Sequence, residues 1–386
     1  MNILVVTAYP PVLHMHGGGV RMFHNIRILG EKHGVRLVSF IESDDERDLL
    51  HSLDDICESV TAVKRVPDFR PHWFSLLPFL VREFSTPEMY RVIEAEFRKR
   101  KVDVLQCEYL QMAQFHQAGI RNILTLHEAM SSNAWEEFQR AADPAEKLKR
   151  YYRWMATLRY EVLMCRKFDR VVTMTDDDAL YLRSYSPGAN IRAIPIGIDL
   201  IEFTPLPEEP ERPVEVLFVG NFRHHPNVEA AEFLADHVAP HFPGIEFRIP
   251  GSHPPDHLRR IPNMQFTGYV HDTRKLYHRP NTIVVAPLFS GTGQRVKLLE
   301  AFAMACPVIT TSVGAKGFPL KHGHEALIAD DAEQFTAALR GLLSSIDIRV
   351  RLGANARQMI EEEFSWNRIG KELLDLVKSG SVKPQM

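Results

Sequence analysis

Short apolar runs bounded by turn residues recur along the chain. Residues 3–7, 35–40, 102–106, 123–126, 170–174 and 191–195 each read as a strand buried on both faces. Helical patterns fall between most of them, over 20–33, 87–100 and 151–167. Strand alternating with helix implies a parallel sheet covered on both sides, because a crossover must bring the chain back before the next parallel strand begins. A second series follows, with strands expected at 215–219, 246–249, 264–267, 282–286, 308–311 and 326–329 and helices including 227–237 and 296–305. Between the two series, residues 204–213 carry four prolines, a density that excludes helix and central strand. That stretch reads as an interdomain linker.

The pattern predicts an α/β protein of two doubly wound, Rossmann-like domains facing across a cleft. The expected division is 1–199, 200–364 and a C-terminal helix with tail over 365–386. The last helical pattern, about 366–377, has no strand after it and is expected to cross back onto the first domain. Residues 379–386 read as a disordered tail. Ligands of such sheets sit outside the carboxyl ends of the strands, so the cleft is the expected shared site.

Composition narrows the classes. With 386 residues, 45% apolar and 25% charged, the chain is long enough for two cores, which excludes a disordered segment or a disulfide-held mini-protein. Forty-six Lys and Arg against 49 Asp and Glu leave a formal charge of −3, so no field of the whole protein attracts nucleic acid. Cys57, Cys107, Cys165 and Cys306 are isolated, which speaks against a zinc ribbon or thiol redox motif and for a reducing compartment. The N-terminus lacks a basic n-region, and apolar runs such as 283–289 fall far short of a membrane span. The expectation is a cytoplasmic protein, with contact to the inner membrane face left open.

Three loops carry candidate chemistry. Gly17, Gly18 and Gly19 follow the first strand and open the helix expected at Val20, either as an anion-binding N-terminus or as a plain tight turn. Gly220 and Asn221 begin the matching loop of the second domain, with Asn227 placed to cap the next helix. Ser290, Gly291, Thr292, Gly293 and Gln294 open a helix that holds Arg295 and Lys297 in its first turn. Cations there oppose the helix dipole, and a bound anion would remove the conflict. Glu300 lies one turn further on, placed either for ribose hydroxyls or for a salt bridge with Lys297 on a solvated helix.

Other features have plainer readings. Asp176, Asp177 and Asp178 form a D-x-D pattern but read as the acidic first turn of a helix, as do Asp330 and Asp331, so no metal site is expected. His127 closes a strand, where it either points into the cleft or is a satisfied polar residue. The segment 147–170 carries eight basic and two acidic residues among Tyr151, Tyr152, Trp154 and Tyr160. It reads as an amphipathic helix whose aromatics are core, or as a surface for an anionic partner. Trp73, Phe74 and residues 76–81 form an apolar cluster, either a core flap or an acceptor platform.

The ordered motifs Gly17–Gly19, Leu124-Thr-Leu-His-Glu128, Pro195-Ile-Gly-Ile-Asp199, Leu217-Phe-Val-Gly220, His225-Pro-Asn227, Phe266-Thr-Gly-Tyr-Val-His-Asp272, residues 291–301, Cys306-Pro-Val-Ile309 and Phe364-Ser-Trp366 span nearly the whole chain. Together they resemble the retaining GT-B glycosyltransferases of family four. The resemblance implies transfer of a sugar from a nucleoside-diphosphate donor, uridine- or guanosine-linked, to a hydroxyl acceptor. It implies that Arg295 and Lys297 hold the diphosphate, that Glu300 holds the ribose and that the backbone near Tyr269 and Val270 meets the base. Gly18 and Gly19 would approach the phosphate and acceptor, and His127 the transferred sugar. Gly220, Asn221, Gly291, Thr292, Gly293 and Gln294 complete the implied donor site, with no cofactor besides the co-substrate. Thr292 stands where many members carry a sugar-contacting glutamate. Two other readings share these features: a nucleotide-sugar 2-epimerase, which would need acids that residues 290–293 lack, and a nucleotide-binding regulator without turnover.

Overall fold

The computed structural model describes residues 1–13, 17–66, 77–207, 211–258, 261–278 and 280–378. Trp73, Phe74, part of the proline-rich stretch and residues 379–386 therefore lie outside the described residues. The chain divides into two compact units, one of Met1–Pro195 with the residues from Ile369 onward, the other Ile196–Arg368.

The first unit contains β1 (Asn2–Thr7), α1 (Gly17–Gly30), β2 (Gly34–Ile41), α2 (Asp44–Leu49), β3 (Ser59–Lys64), α3 (Phe79–Glu83) and α4 (Pro87–Lys99). It continues with β4 (Val104–Glu108), β5 (Arg121–Thr125), α5 (Met130–Arg140), α6 (Pro144–Lys167), β6 (Arg170–Thr173), α7 (Asp176–Tyr185) and β7 (Ile191–Ala193). Among its described residues seven strands pair in parallel in the order β3-β2-β1-β4-β5-β6-β7. The strand order reverses between β1 and β4, the place where doubly wound sheets open a crevice.

The second unit contains β8 (Glu215–Leu217), α8 (His225–Phe233), β9 (Glu246–Pro250), β10 (Met264–Gly268), β11 (Thr282–Ala286), α9 (Val296–Ala303), β12 (Val308–Thr310), β13 (Leu327–Ile328), α10 (Ala332–Ser344) and α11 (Ile346–Glu363), and α12 (Trp366–Lys378) follows. Its sheet is also parallel, in the order β10-β9-β8-β11-β12-β13, with its reversal between β8 and β11. The fold is thus the two-domain α/β arrangement that the alternation predicts.

The structure differs from the sequence reading in instructive places. β3 was not expected: it is an edge strand, mostly half-buried, and so lacks a continuous apolar run. α6 begins at Pro144, seven residues before its expected start, because Asp143 caps it at the Glu146 amide and Pro144 fits the first turn. The division between units falls at Pro195 and Ile196, upstream of the proline-rich stretch. Ile196 and Ile198 are buried, and the Ile198 amide donates to the Phe364 carbonyl at 2.8 Å, which ties this strand of chain into the second unit. From Ile369 onward α12 belongs to the first unit, where Arg121 donates to the Val377 carbonyl and Gly370 faces Ile28.

One close approach gives a stability test. In α11, a Cβ added at Gly353 would lie 2.1 Å from the Ala305 carbonyl oxygen. Ala305 is itself held at φ 55° where the chain leaves α9, so its carbonyl has little freedom to retreat. Gly353→Ala is expected to cost about 2 kcal/mol. A denaturant midpoint equal to the parent's would contradict this.

Candidate functional site

In the first unit, parallel register sets Thr7, Glu108 and Thr125 abreast at the carboxyl ends of β1, β4 and β5. The chain leaves β5 through Leu126 and places His127 over that edge. Its Nε2 lies 2.9 Å from Glu108 Oε2. The Glu108 carboxylate is buried and also accepts from Gln106 Nε2 at 2.6 Å. Tyr109 stacks flat on the imidazole, ring centroids 3.9 Å apart and planes 7° from parallel. Its backbone sits at φ 76°, a costly conformation for an aromatic residue, while its amide still donates to the Thr125 carbonyl at 2.8 Å. Arg21 of α1 is fully buried and donates to the Ile194 carbonyl at 2.8 Å.

These groups set each other's charge. Burial pushes the Arg21 guanidinium down to about 10, against the pull of Glu108, so it stays cationic near neutral pH. Burial also opposes ionisation of Glu108, but the His127 hydrogen bond, the neighbouring Arg21 charge and the Gln106 hydrogen bond hold its carboxyl below the usual range. His127 is lowered by burial, with Glu108 opposing and Arg21 reinforcing. The resulting state is an ionised Glu108 beside a neutral imidazole. The carboxylate accepts, so the His127 proton sits on Nε2 and Nδ1 keeps its lone pair.

The three glycines do not form a loop ahead of a helix at Val20: they are the first turn of α1 itself. A Cβ on Gly18 would fall 1.9 Å from Tyr109 Oη and 3.1 Å from His127 Nδ1. Gly18 therefore gives room to the Tyr109–His127 stack, a packing reason that the glycine pattern did not disclose. Gly19 is buried in the same turn.

In the second unit, the loop from β11 to α9 passes through Gly291 at φ 93° and Gly293 at φ 76°, both left-handed positions that favour glycine. This path turns carbonyls inward onto Arg295. Its guanidinium donates to the carbonyls of Gly291 at 2.7 Å, Gly293 at 3.1 Å, Ser290 at 3.4 Å and Thr292. Arg295 is the cap residue before α9, just ahead of the first turn in which the sequence pattern places it, and its side chain ties together the loop that precedes it. Gln294 Oε1 accepts from the Ile196 amide at 2.6 Å, and Ser290 donates to Glu229 at 2.7 Å.

Lys297 lies in the first turn of α9. Its Nζ donates to Asn227 Oδ1 at 2.6 Å and sits 4.5 Å from the centroid of the Phe218 ring. Asn227 in turn donates to the Asn221 carbonyl at 2.8 Å. The expected cap role of Asn227 is corrected: α8 starts at His225, and Asn227 lies inside it and bridges the Gly220–Asn221 loop to Lys297. A Cβ on Gly220 would come within 3.2 Å of the Asn227 side chain, so the glycine admits that bridge. Burial, then the Arg295 charge, push Lys297 down to about 7, with Glu300 opposing. Glu300 Oε2 accepts from Tyr277 Oη at 3.0 Å, and burial pushes its carboxyl up to about 7. Tyr269, 65% exposed, and Val270 follow the end of β10.

The structure thus joins Lys297 to Asn227 and Asn221, and Arg295 to Gly291, Thr292 and Gly293. Glu108, Tyr109, Arg21 and Tyr277 were missed as site residues. The signal for Glu108 was available: it ends a strand at the sheet's reversal, but the apolar run was read as stopping at Gln106. Asp176–Asp178 form the first turn of α7, capped by Thr175, which accepts from the Asp178 amide. Among the described residues no group of three or more His, Cys, Asp or Glu is placed to hold a metal ion. None of the described helices is long and apolar enough to cross a membrane.

Residues 213–345 match the family model described as Glycosyl transferases group 1, and residues 16–202 match Glycosyltransferase Family 4. An uncharacterised 44.6 kDa protein in the cps region of Klebsiella pneumoniae is 20% identical over 393 residues, covering 95% of this chain and 97% of that one. Sucrose-phosphate synthase from Thermosynechococcus elongatus shares the fold with a TM-score of 0.74 at 19% identity, over 97% of this chain and 98% of its own. HepE of Anabaena, solved in complex with UDP-glucose, gives a TM-score of 0.67 at 12% identity, over 98% of this chain and 99% of its own.

Proposed function

The chain is a GT-B glycosyltransferase of the group 1 and family 4 type, and from that premise we propose that it moves a sugar from a nucleoside diphosphate to a hydroxyl acceptor with retention of configuration. The observation that carries the reading is Lys297, a half-buried amine in the first turn of α9, held by Asn227 beside a loop that Arg295 shapes. A cation at a helix N-terminus is unfavourable without an anion, and a diphosphate satisfies both the amine and the helix amides. The complex of Anabaena HepE with UDP-glucose favours uridine as the base.

In this reading Lys297, with the amides of Thr292, Gly293 and Gln294, receives the charge that grows on the departing diphosphate. A cation 4 Å from such a charge gains on the order of 4 kcal/mol at an effective dielectric near 20, aimed before reaction begins. Glu300 accepts from the ribose hydroxyls, and the chain at Tyr269 and Val270 meets the base. His127 contacts the transferred sugar through Nδ1. Retention follows from attack on the face the diphosphate leaves, where the diphosphate itself takes the acceptor's proton. Fixed cations do the work that a divalent ion does in other transferases, so no cofactor is required beyond the donor.

Thermal unfolding with uridine diphosphate tests the donor half. At 100 times its Kd the nucleotide adds about 2.7 kcal/mol of stability. Glu300→Ala should remove most of that gain, measured from the variant's own unliganded midpoint, which loses about 1–3 kcal/mol because the buried Tyr277 hydroxyl is left without its acceptor. Failure of uridine or guanosine diphosphate to raise the parent's midpoint would refute the nucleotide site. Equal gains in parent and variant would refute the ribose role alone.

A further inference from the structure

A helix on the outside of an α/β unit ordinarily turns its polar side to water. In the first unit α6 also exposes large apolar side chains among the bases of its outer face. Leu148 is 71% exposed, Tyr152 41%, Met155 47% and Leu163 42%. Their spacings of four, three and eight residues put them on one side of the helix, a stripe about 22 Å long at 1.5 Å per residue. Thr157, Tyr160, Glu161 and Cys165 occupy the other, buried side, and Ala156 is buried at the stripe's edge. Arg159 and Arg166 continue the stripe's spacing, and Lys147 and Lys149 flank its start.

The charge on this helix is one-sided. Seven Lys and Arg stand on α6 against Glu146 and Glu161, and Glu161 is buried. Glu146 serves both Lys149 and Arg150, and Arg153 is met by Glu137 of α5. Among the described residues Lys147, Arg159 and Lys167 have no acid partner, and they leave a cationic surplus around the apolar stripe. The helix is also braced from behind. Trp135 and Phe138 of α5 pack on Trp154 and Tyr151 at centroid distances of 4.6 and 5.4 Å. Arg166 donates to the Tyr185 carbonyl of α7 at 3.1 Å, beside another ring that is 41% exposed. The face is therefore ordered before anything binds to it.

We propose that α6 docks the first unit on an anionic lipid bilayer, lying flat in the headgroup region with Leu148, Tyr152, Met155 and Leu163 entering the acyl boundary. The long Lys and Arg side chains then reach outward to lipid phosphates. A second copy of the chain fits worse, because two such faces would bring like charges together. This surface shares no residue with the donor site, so its test is independent of turnover.

The experiment is flotation of the full chain with vesicles of phosphatidylglycerol and phosphatidylcholine in equal parts, and with phosphatidylcholine alone. The parent should float with the anionic vesicles, remain behind with the neutral ones, and be released by high salt. The double variants Leu148→Ser/Met155→Ser and Lys147→Glu/Arg159→Glu should each bind at least about ten-fold more weakly, with the parent's circular dichroism and melting temperature. A parent that ignores anionic vesicles would overturn the proposal, and so would a serine variant that floats as the parent does. A parent dimer in sedimentation equilibrium that the serine variant dissolves would replace lipid by a second copy.

Discussion

Lys297→Ala is expected to slow sugar transfer by about a hundred-fold, or roughly 2.7 kcal/mol of transition-state stabilisation. The amine lies in the first turn of α9, and its hydrogen bond reaches across to Asn227 of α8. Arg295, by contrast, spends its donors on loop carbonyls. The loss should fall on kcat more than on nucleotide affinity, because charge on the diphosphate grows as the sugar leaves. Excess chelator should leave the parent's rate unchanged.

The same residue sets a pH dependence with a definite sign. Lys297 sits near 7 in the unliganded protein because burial and Arg295 disfavour its charge. A bound diphosphate favours that charge and raises the value. Below about pH 7 the ammonium is already present, so affinity for uridine diphosphate is fully expressed. Above it, binding must take up a proton, and affinity falls by as much as about ten-fold per pH unit. Glu300, also raised to about 7, loses its proton in the same window but becomes charged where Lys297 becomes neutral. The comparison is therefore made in a Glu300→Gln background. Calorimetry in buffers of different ionisation heat should show proton uptake there, and none once Lys297 is also alanine. Equal proton uptake with and without Lys297 would refute the assignment.

Glu108→Gln is expected to lower kcat by at least about ten-fold with nucleotide affinity unchanged. The buried carboxylate accepts from His127 Nε2, which leaves Nδ1 as the free acceptor beside Gly18. A carboxamide at 108 can offer an N–H instead and drive the proton to Nδ1, so the imidazole presents the wrong atom. His127→Ala should cost about as much, and the double variant little more than either alone, since both act through one lone pair. Additive losses would show that Glu108 and His127 act separately.

The sequence made some of this legible and hid the rest for identifiable reasons. Arg295, Lys297 and Glu300 stood out because two cations in a helix's first turn violate a local electrostatic rule. Glu108 did not, because a single acid at the end of an apolar run looks like the start of a turn. Asn227 was misread because asparagine just before a helical pattern is a good cap, and its local meaning concealed a partner 70 residues away. Tyr109 carried no signal, since its φ of 76° is imposed by packing against His127 and Gly18 and by the hydrogen bond to β5.

By itself the sequence determined the two parallel sheets, since apolar runs alternating with helical patterns can bury both strand faces and satisfy the backbone in few other ways. It likewise determined that α7 starts at Asp176, because Thr175 and three acids suit a helix N-terminus without help from the rest of the chain. Only the tertiary structure decided where β4 ends, through its register with Thr7 and Thr125, and so where Glu108 meets His127. Only it decided that Arg295 turns back on its loop, that Lys297 finds Asn227, and that α6 faces outward with Leu148 and Met155. The physical reason is common to these cases: periodicity reports which residues share a side of an element, whereas partner and burial depend on which distant element packs against that side.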